Sequence, residues 1–193
     1  MRFDPAMRER NGHMPTPRVD IRARKAPIRQ HYRDDPDGAV EVLRVHGGDS
    51  DLGDPLHCVV APESAPDALL RSGAHRAVGD DDDVPCSGEL LLAALATCQE
   101  TTLRMVAANM GIDLEKLEIS VEGDWDPRGT LAMGKQLPVG ITAVRVHTCV
   151  VVRGDDREER AQRLLRSAEC YCVVLSTLQA SVSVASTFTL ESL

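Results

Sequence analysis

The residues best able to do chemistry in this 193-residue sequence are its six cysteines, at positions 58, 86, 98, 149, 170 and 172. In a reducing compartment such a set is not a structural disulfide framework, which leaves core packing, metal ligation or redox chemistry. Cys98 closes an apolar run and is followed by Gln99-Glu100-Thr101-Thr102. A small apolar packing role suits the run before it. The polar turn after it suits a water-accessible cavity where a thiolate could be hydrogen-bonded, so both readings stay open. Cys170 and Cys172 stand two apart, about 200° on a helix, so only one can face inward. A metal site would need this pair together with His147 and Cys149, which share one face of a strand. A Cys-x-Cys pair diverges on a helix, and the sequence offers no second Cys-x2–4-Cys pair, so no metal or other cofactor is expected. Cys58 and Cys86 stand alone and read as packing residues. GxGxxG, P-loop, HExxH and GxSxG motifs are all absent, so nucleotide and hydrolase chemistries have no signal.

Two helices must carry these thiols. Ser87 can cap the first, Glu89 places negative charge in its first turn, and Gly111 marks its end. Positions 91, 95, 98, 102, 105 and 109 form one stripe, and Leu90 to Ala96 is apolar on every side. Such a helix belongs inside a fold. A second helix is expected from Asp155 or Asp156 through Cys172 to Leu178, with a stripe of Ala161, Leu164, Leu165, Ala168, Cys172 and Leu175 that turns Cys172 inward. Strands are expected at Val40–Val45, Leu56–Val60, Leu117–Val121, Ile141–Val152 and, from its alternation, Ser181–Leu190. Gly47-Gly48 provides the turn in the early hairpin, and the acidic run Gly79–Asp83 a loop. Segregated strands and helices indicate an α+β fold with antiparallel sheet.

Residues 1–36 read as an N-terminal arm, partly disordered or partner-bound, with a helical pattern interrupted at Pro27; residues 37–193 read as one domain. Thirty acidic against 22 basic residues, with no basic block, argue against a nucleic-acid partner. The longest apolar run, Leu90–Ala96, is too short to span a membrane and no signal-peptide pattern opens the chain. A cytoplasmic protein without a membrane partner is expected.

The segment Ser87-Gly88-Glu89-Leu90-Leu91-Leu92-Ala93-Ala94-Leu95-Ala96-Thr97-Cys98, followed by Thr102-Leu103-Arg104-Met105, resembles the signature of the OsmC/organic hydroperoxide resistance family. Cys172-Val-Val-Leu-Ser-Thr177-Leu178 is similar to the CxVxxTL segment that carries that family's other cysteine. With the stretches 123–130 and 138–140, the likeness covers roughly residues 37–193. It implies antiparallel sheets wrapped around a long central buried helix, in an intertwined homodimer with two interfacial sites. The implied chemistry is thiol-dependent reduction of an alkyl or lipid hydroperoxide, an oxidative-stress defence. Cys98 is the nucleophile in this reading and Cys172 the resolving thiol, and an external dithiol is the reductant.

Several positions depart from the family pattern. An arginine that follows the glycine pair there is Asp49 here, the proline after the second cysteine is Val173, and the acidic run 80–83 replaces a glycine pair before the helix. Glu89 stands one position from the family's supporting carboxylate, and Arg76 or Arg104 could replace the missing cation. Glu89 and Arg76 are therefore the expected supports of Cys98. Without a nearby cation, the Cys98 thiol is expected to keep a pKa at or above about 8.5. A non-catalytic small-ligand-binding or redox-sensing module on the same fold is the alternative.

Overall fold

A computed structural model describes residues 19–48, 50–155, 157–180 and 182–190. The chain divides into two units, Met1–Ala39 and Val40–Leu193. In the first, helix α1 (Ile21–Asp34) is capped by Asp20, whose side chain accepts the Ala23 N–H. The expected interruption at Pro27 does not occur and the helix runs through it. The carbonyl that proline leaves unbonded, that of Ala23, belongs to an exposed residue and can turn to water. A short 3-10 turn, Asp37–Ala39, follows. The expected arm otherwise falls on residues 1–18, outside the described residues.

The second unit holds two antiparallel sheets. β1 (Val45–Gly47), β2 (His57–Pro62) and β3 (Leu70–Gly73) form the first in that order. The early strand begins at Val45, later than expected, because Val40, Val42 and Leu43 lie exposed without a pairing partner. β3 was not anticipated, since Leu70-Arg71-Ser72-Gly73 is too short and polar to show a period. A 3-10 turn, Arg76–Val78, and the acidic loop lead into α2 (Ser87–Met110). Its N-cap is Cys86, not Ser87: the Glu89 carboxylate accepts the Cys86 N–H at 2.9 Å, which places Glu89 at the third helical position. Gly111 ends it with φ 65°, a left-handed conformation that favours glycine.

β4 (Leu114–Asp124) and β5 (Ala143–Val152) make the second sheet, joined through the single turn α3 (Pro127–Thr130). Alternate residues of β4, Leu117, Ile119 and Val121, face the helices as the period of two requires. α4 (Arg157–Tyr171) and α5 (Val173–Gln179) complete the unit. Of the two expected caps, Asp155 or Asp156, the second lies outside the described residues. Leu103, Ala107, Ile112, Val152, Leu164 and Ala168 form the core between α2, α4 and this sheet. At about 1.5–3 kcal/mol per fully buried leucine, this cluster holds α2 and α4 in register.

Two further expectations are corrected. The second helix is not continuous: it breaks at Cys172, whose backbone is extended at φ −78°, ψ 106°. The C-terminal alternation forms no strand among the described residues 182–190, and Val184, Phe188 and Leu190 are exposed. Among the described residues no strand pairs with it. Among the described residues no helix is long and apolar enough to cross a membrane.

Candidate functional site

α2 carries Cys98 at its middle, and the residues that bury on the same side are Leu95, Gln99, Thr102, Leu103 and Ala107. The stripe is the expected one in outline, shifted so that Gln99 and Leu103 take the deep positions. Cys98 itself is half-buried. α5 packs against α2, and the helix break at Cys172 brings the first residues of α5 near the Cys98 sulfur.

Burial and nearby donors act on that sulfur in opposite directions. Burial pushes the Cys98 thiol up, and this is outweighed by hydrogen bonds from the backbone N–H of Val174, the Cys172 thiol, the backbone N–H of Val173 and the Thr102 hydroxyl. The net result is a pKa below the ordinary thiol value. Val173 and Val174 open α5, where N–H groups have no partner within the helix and are free to bind an anion. Thr102 lies one turn after Cys98 on the same face.

Cys172 is fully buried, at 0% exposure. Its thiol is raised above the ordinary value, first by burial and then by its hydrogen bond to, and repulsion from, Cys98. The two thiols are therefore shifted in opposite directions, Cys98 down and Cys172 up. Both are free. Cys170 is exposed, as the inward placement of Cys172 requires.

Where the sequence predicts a thiol held at or above the free value, the Cys98 pKa is shifted down from its ordinary value. Backbone N–H groups and two side-chain donors take the place that a cation was expected to fill. Glu89 precedes Cys98 by nine residues, about 13 Å along the helix axis, and its carboxylate caps Cys86. The Arg76 side chain is 76% exposed and paired with Asp82 at 3.4 Å. Arg104 pairs with Glu100 at 3.5 Å. The structure thus brings Cys98 and Cys172 together and gives Glu89 and Arg76 other partners. The N–H groups of Val173 and Val174 escaped sequence reasoning because nothing in Cys172-Val173-Val174 marks a helix start.

Two cavities flank α2. One, of about 560 Å³, lies at its first turns and is lined by His75, Leu91, Leu92, Trp125 and Ile141 among others. The other, of about 640 Å³, is lined by Gln99, Leu103, Val146, Leu165, Cys170 and Leu175. Gln99, beside Cys98, leaves its Oε1 buried without a hydrogen-bond partner. The metal grouping weighed for Cys170, Cys172, His147 and Cys149 does not assemble. Among the described residues three potential ligand atoms converge only at His57, Asp80 and Asp83.

The family described as OsmC-like protein matches residues 79–187, which include both thiols, α2 and the second sheet. No curated protein matches the sequence. Solved structures do. An OsmC-like protein of unknown function from Vibrio cholerae is 12% identical with a TM-score of 0.57, over 72% of this chain and 94% of that one. An OsmC-like protein from Mycoplasma pneumoniae is 13% identical with a TM-score of 0.55, over 72% and 88%. An organic hydroperoxide resistance protein from Elizabethkingia anophelis is 14% identical with a TM-score of 0.53, over 73% and 90%. At these identities the likeness establishes the fold. With the family match extending over more than half of its length, the chain belongs to the OsmC-like protein family.

Proposed function

We propose that the protein reduces organic hydroperoxides through a cycle between Cys98 and Cys172. The observation that carries this reading is the contact between two free thiols whose pKa values are pushed apart, Cys98 down and Cys172 up. Such a pair has its acid and nucleophile assigned by environment. The Cys98 thiolate attacks the terminal peroxide oxygen, the O–O bond breaks, and the alkoxide leaves as the alcohol after taking a proton. Cys98 becomes a sulfenic acid. The Cys172 thiol then attacks that sulfur and releases water, leaving a Cys98–Cys172 disulfide, which an external dithiol reduces. The cycle needs no cofactor.

The organic character of the substrate draws on the relative from Elizabethkingia anophelis, which is named an organic hydroperoxide resistance protein. Val173, with 68% of its surface exposed beside the thiol pair, offers apolar contact to an alkyl chain. A second copy of the chain completes the fold in this reading. Leu91 is 42% exposed on the helix meant to be central, and the alternating segment 182–190 pairs with no strand among the described residues. Both would be covered in an intertwined homodimer. The negative net charge agrees with a role without nucleic acid.

The test is turnover. Purified protein with tert-butyl hydroperoxide and a dithiol such as dihydrolipoamide should consume peroxide. Cys98→Ser should abolish consumption, whereas Cys172→Ser, assayed without the dithiol, should consume one equivalent and stop at a sulfenic acid. Unchanged turnover in Cys98→Ser would remove the proposal.

A further inference from the structure

The acidic loop before α2 brings Asp80 and Asp83 to His57 of β2. His57 is held between carboxylates: its Nδ1 lies 2.8 Å from Asp54 Oδ2, and its Nε2 lies 3.0 Å from Asp83 Oδ1 and 3.5 Å from Asp80 Oδ1. The Asp80 side chain is 2% exposed. Its Oδ1 accepts the Asp81 N–H, while its Oδ2 is buried with no hydrogen-bond partner. A buried carboxylate oxygen with no donor is costly, and in native proteins it commonly marks an ion or a water. Among the described residues the ion-pair partner of Asp54, Asp80 and Asp83 is His57 alone, and the nearby Arg76 is taken by Asp82.

We propose that His57 Nε2 and the carboxylates of Asp80 and Asp83 bind a divalent cation, with Asp54 as the group that orients the imidazole. Without an ion, both ring nitrogens donate to carboxylates, Nδ1 to Asp54 and Nε2 to Asp83; with an ion bound in place of the Nε2 proton, Asp54 accepting the Nδ1–H would leave the Nε2 lone pair to the metal, the usual carboxylate–histidine–metal arrangement. The spacing agrees. Ligands about 2.0–2.2 Å from an ion stand about 3.0 Å apart at octahedral and about 3.4 Å apart at tetrahedral angles, against 3.0 and 3.5 Å here. One imidazole and two carboxylates suit Zn²⁺ or Mn²⁺. Asp83 is 60% exposed, so water can fill the remaining positions. Gly73 makes the room: a Cβ there would stand 2.5 Å from Asp80 Oδ2 and 3.1 Å from His57 Cδ2. The cation would tie the loop to β2, directly ahead of the Cys86 cap of α2, and is separate from the thiol pair.

Chelator-treated full-length protein should be titrated with MnCl2, following the free-ion signal by electron paramagnetic resonance, because thiols compete weakly for this ion. A second titration uses ZnCl2 with all thiols alkylated. The expected result is saturable binding of one ion per chain. Asp83→Asn, on an exposed side chain that folding does not need, should weaken it at least tenfold, and His57→Gln should remove it. Asp54→Asn should weaken it about 10- to 100-fold through lost orientation. Binding by neither ion at about 1 mM, the weak end of protein cation sites, would overturn the proposal. So would unchanged affinity in Asp83→Asn that circular dichroism shows to be folded.

Discussion

Replacing Val173 by proline removes one donor from the Cys98 thiolate while leaving the rest of the site in place. Val173 is the first residue of α5, the position where proline is best tolerated and where its missing N–H breaks no helical bond. Cys172 already has φ −78° and ψ 106°, the extended backbone that a residue before proline prefers. The side chain at 173 is largely exposed, so packing changes little. What is lost is the Val173 N–H hydrogen bond that favours the ionised Cys98. A hydrogen bond to a charged group contributes about 1.5–3 kcal/mol, and 1.36 kcal/mol corresponds to about one pKa unit. The Val174, Cys172 and Thr102 donors remain and share the charge, so the lower end applies. The Cys98 pKa should rise by about one unit, with about tenfold less thiolate at neutral pH. The assay is the pH dependence of iodoacetamide alkylation at Cys98, resolved by peptide mass spectrometry, with Val173→Ala as the control that keeps the N–H. An unmoved midpoint in Val173→Pro, or an equal shift in Val173→Ala, would refute the assignment of the N–H groups as the stabilising donors.

Further outcomes follow from the same contacts. As pH rises, Cys98 should alkylate before Cys172, because one pKa is lowered and the other raised. In Cys98→Ser the Cys172 midpoint should move down toward the ordinary value, since the Cys98 charge no longer opposes its ionisation, though burial still holds it up. Leu103→Ala, at a residue 1% exposed in the core, should cost about 2–5 kcal/mol in chemical denaturation. Gly129→Ala should lower the melting temperature, because a Cβ there would overlap the Pro138 carbonyl oxygen and the backbone would have to move; an unchanged melting temperature would show that the 129–138 approach is loose.

Much of the site was legible because local chemistry marks it. Gly111 announced the end of α2 since only a left-handed residue closes that helix, and the inward face of Cys172 followed from Leu164 and Ala168. The break between α4 and α5 was not legible. Val173, where the family pattern has proline, continues a helical pattern smoothly, and the extended turn at Cys172 is imposed by packing of α5 on α2. Since the free N–H groups arise at that break, the donors to Cys98 were hidden with it, and a cation was expected in their place. The C-terminal segment shows the converse. Its alternation of Val182, Val184, Phe188 and Leu190 reads as a half-buried strand, but these residues are exposed and unpaired, because a strand also requires a neighbour and none of the described residues supplies one. His57 was overlooked because its carboxylate partners come from before it and from a loop that only the three-stranded sheet brings back to β2.

The most direct test of the central claim is to treat the fully reduced protein with one equivalent of an organic hydroperoxide, trap it in acid and map its disulfides by mass spectrometry. The proximity of the thiols and their opposed pKa shifts predict a single Cys98–Cys172 bond formed with loss of one equivalent of peroxide. Recovery of both thiols reduced, or of Cys98 oxidised to sulfinic acid while Cys172 stays free, would contradict it.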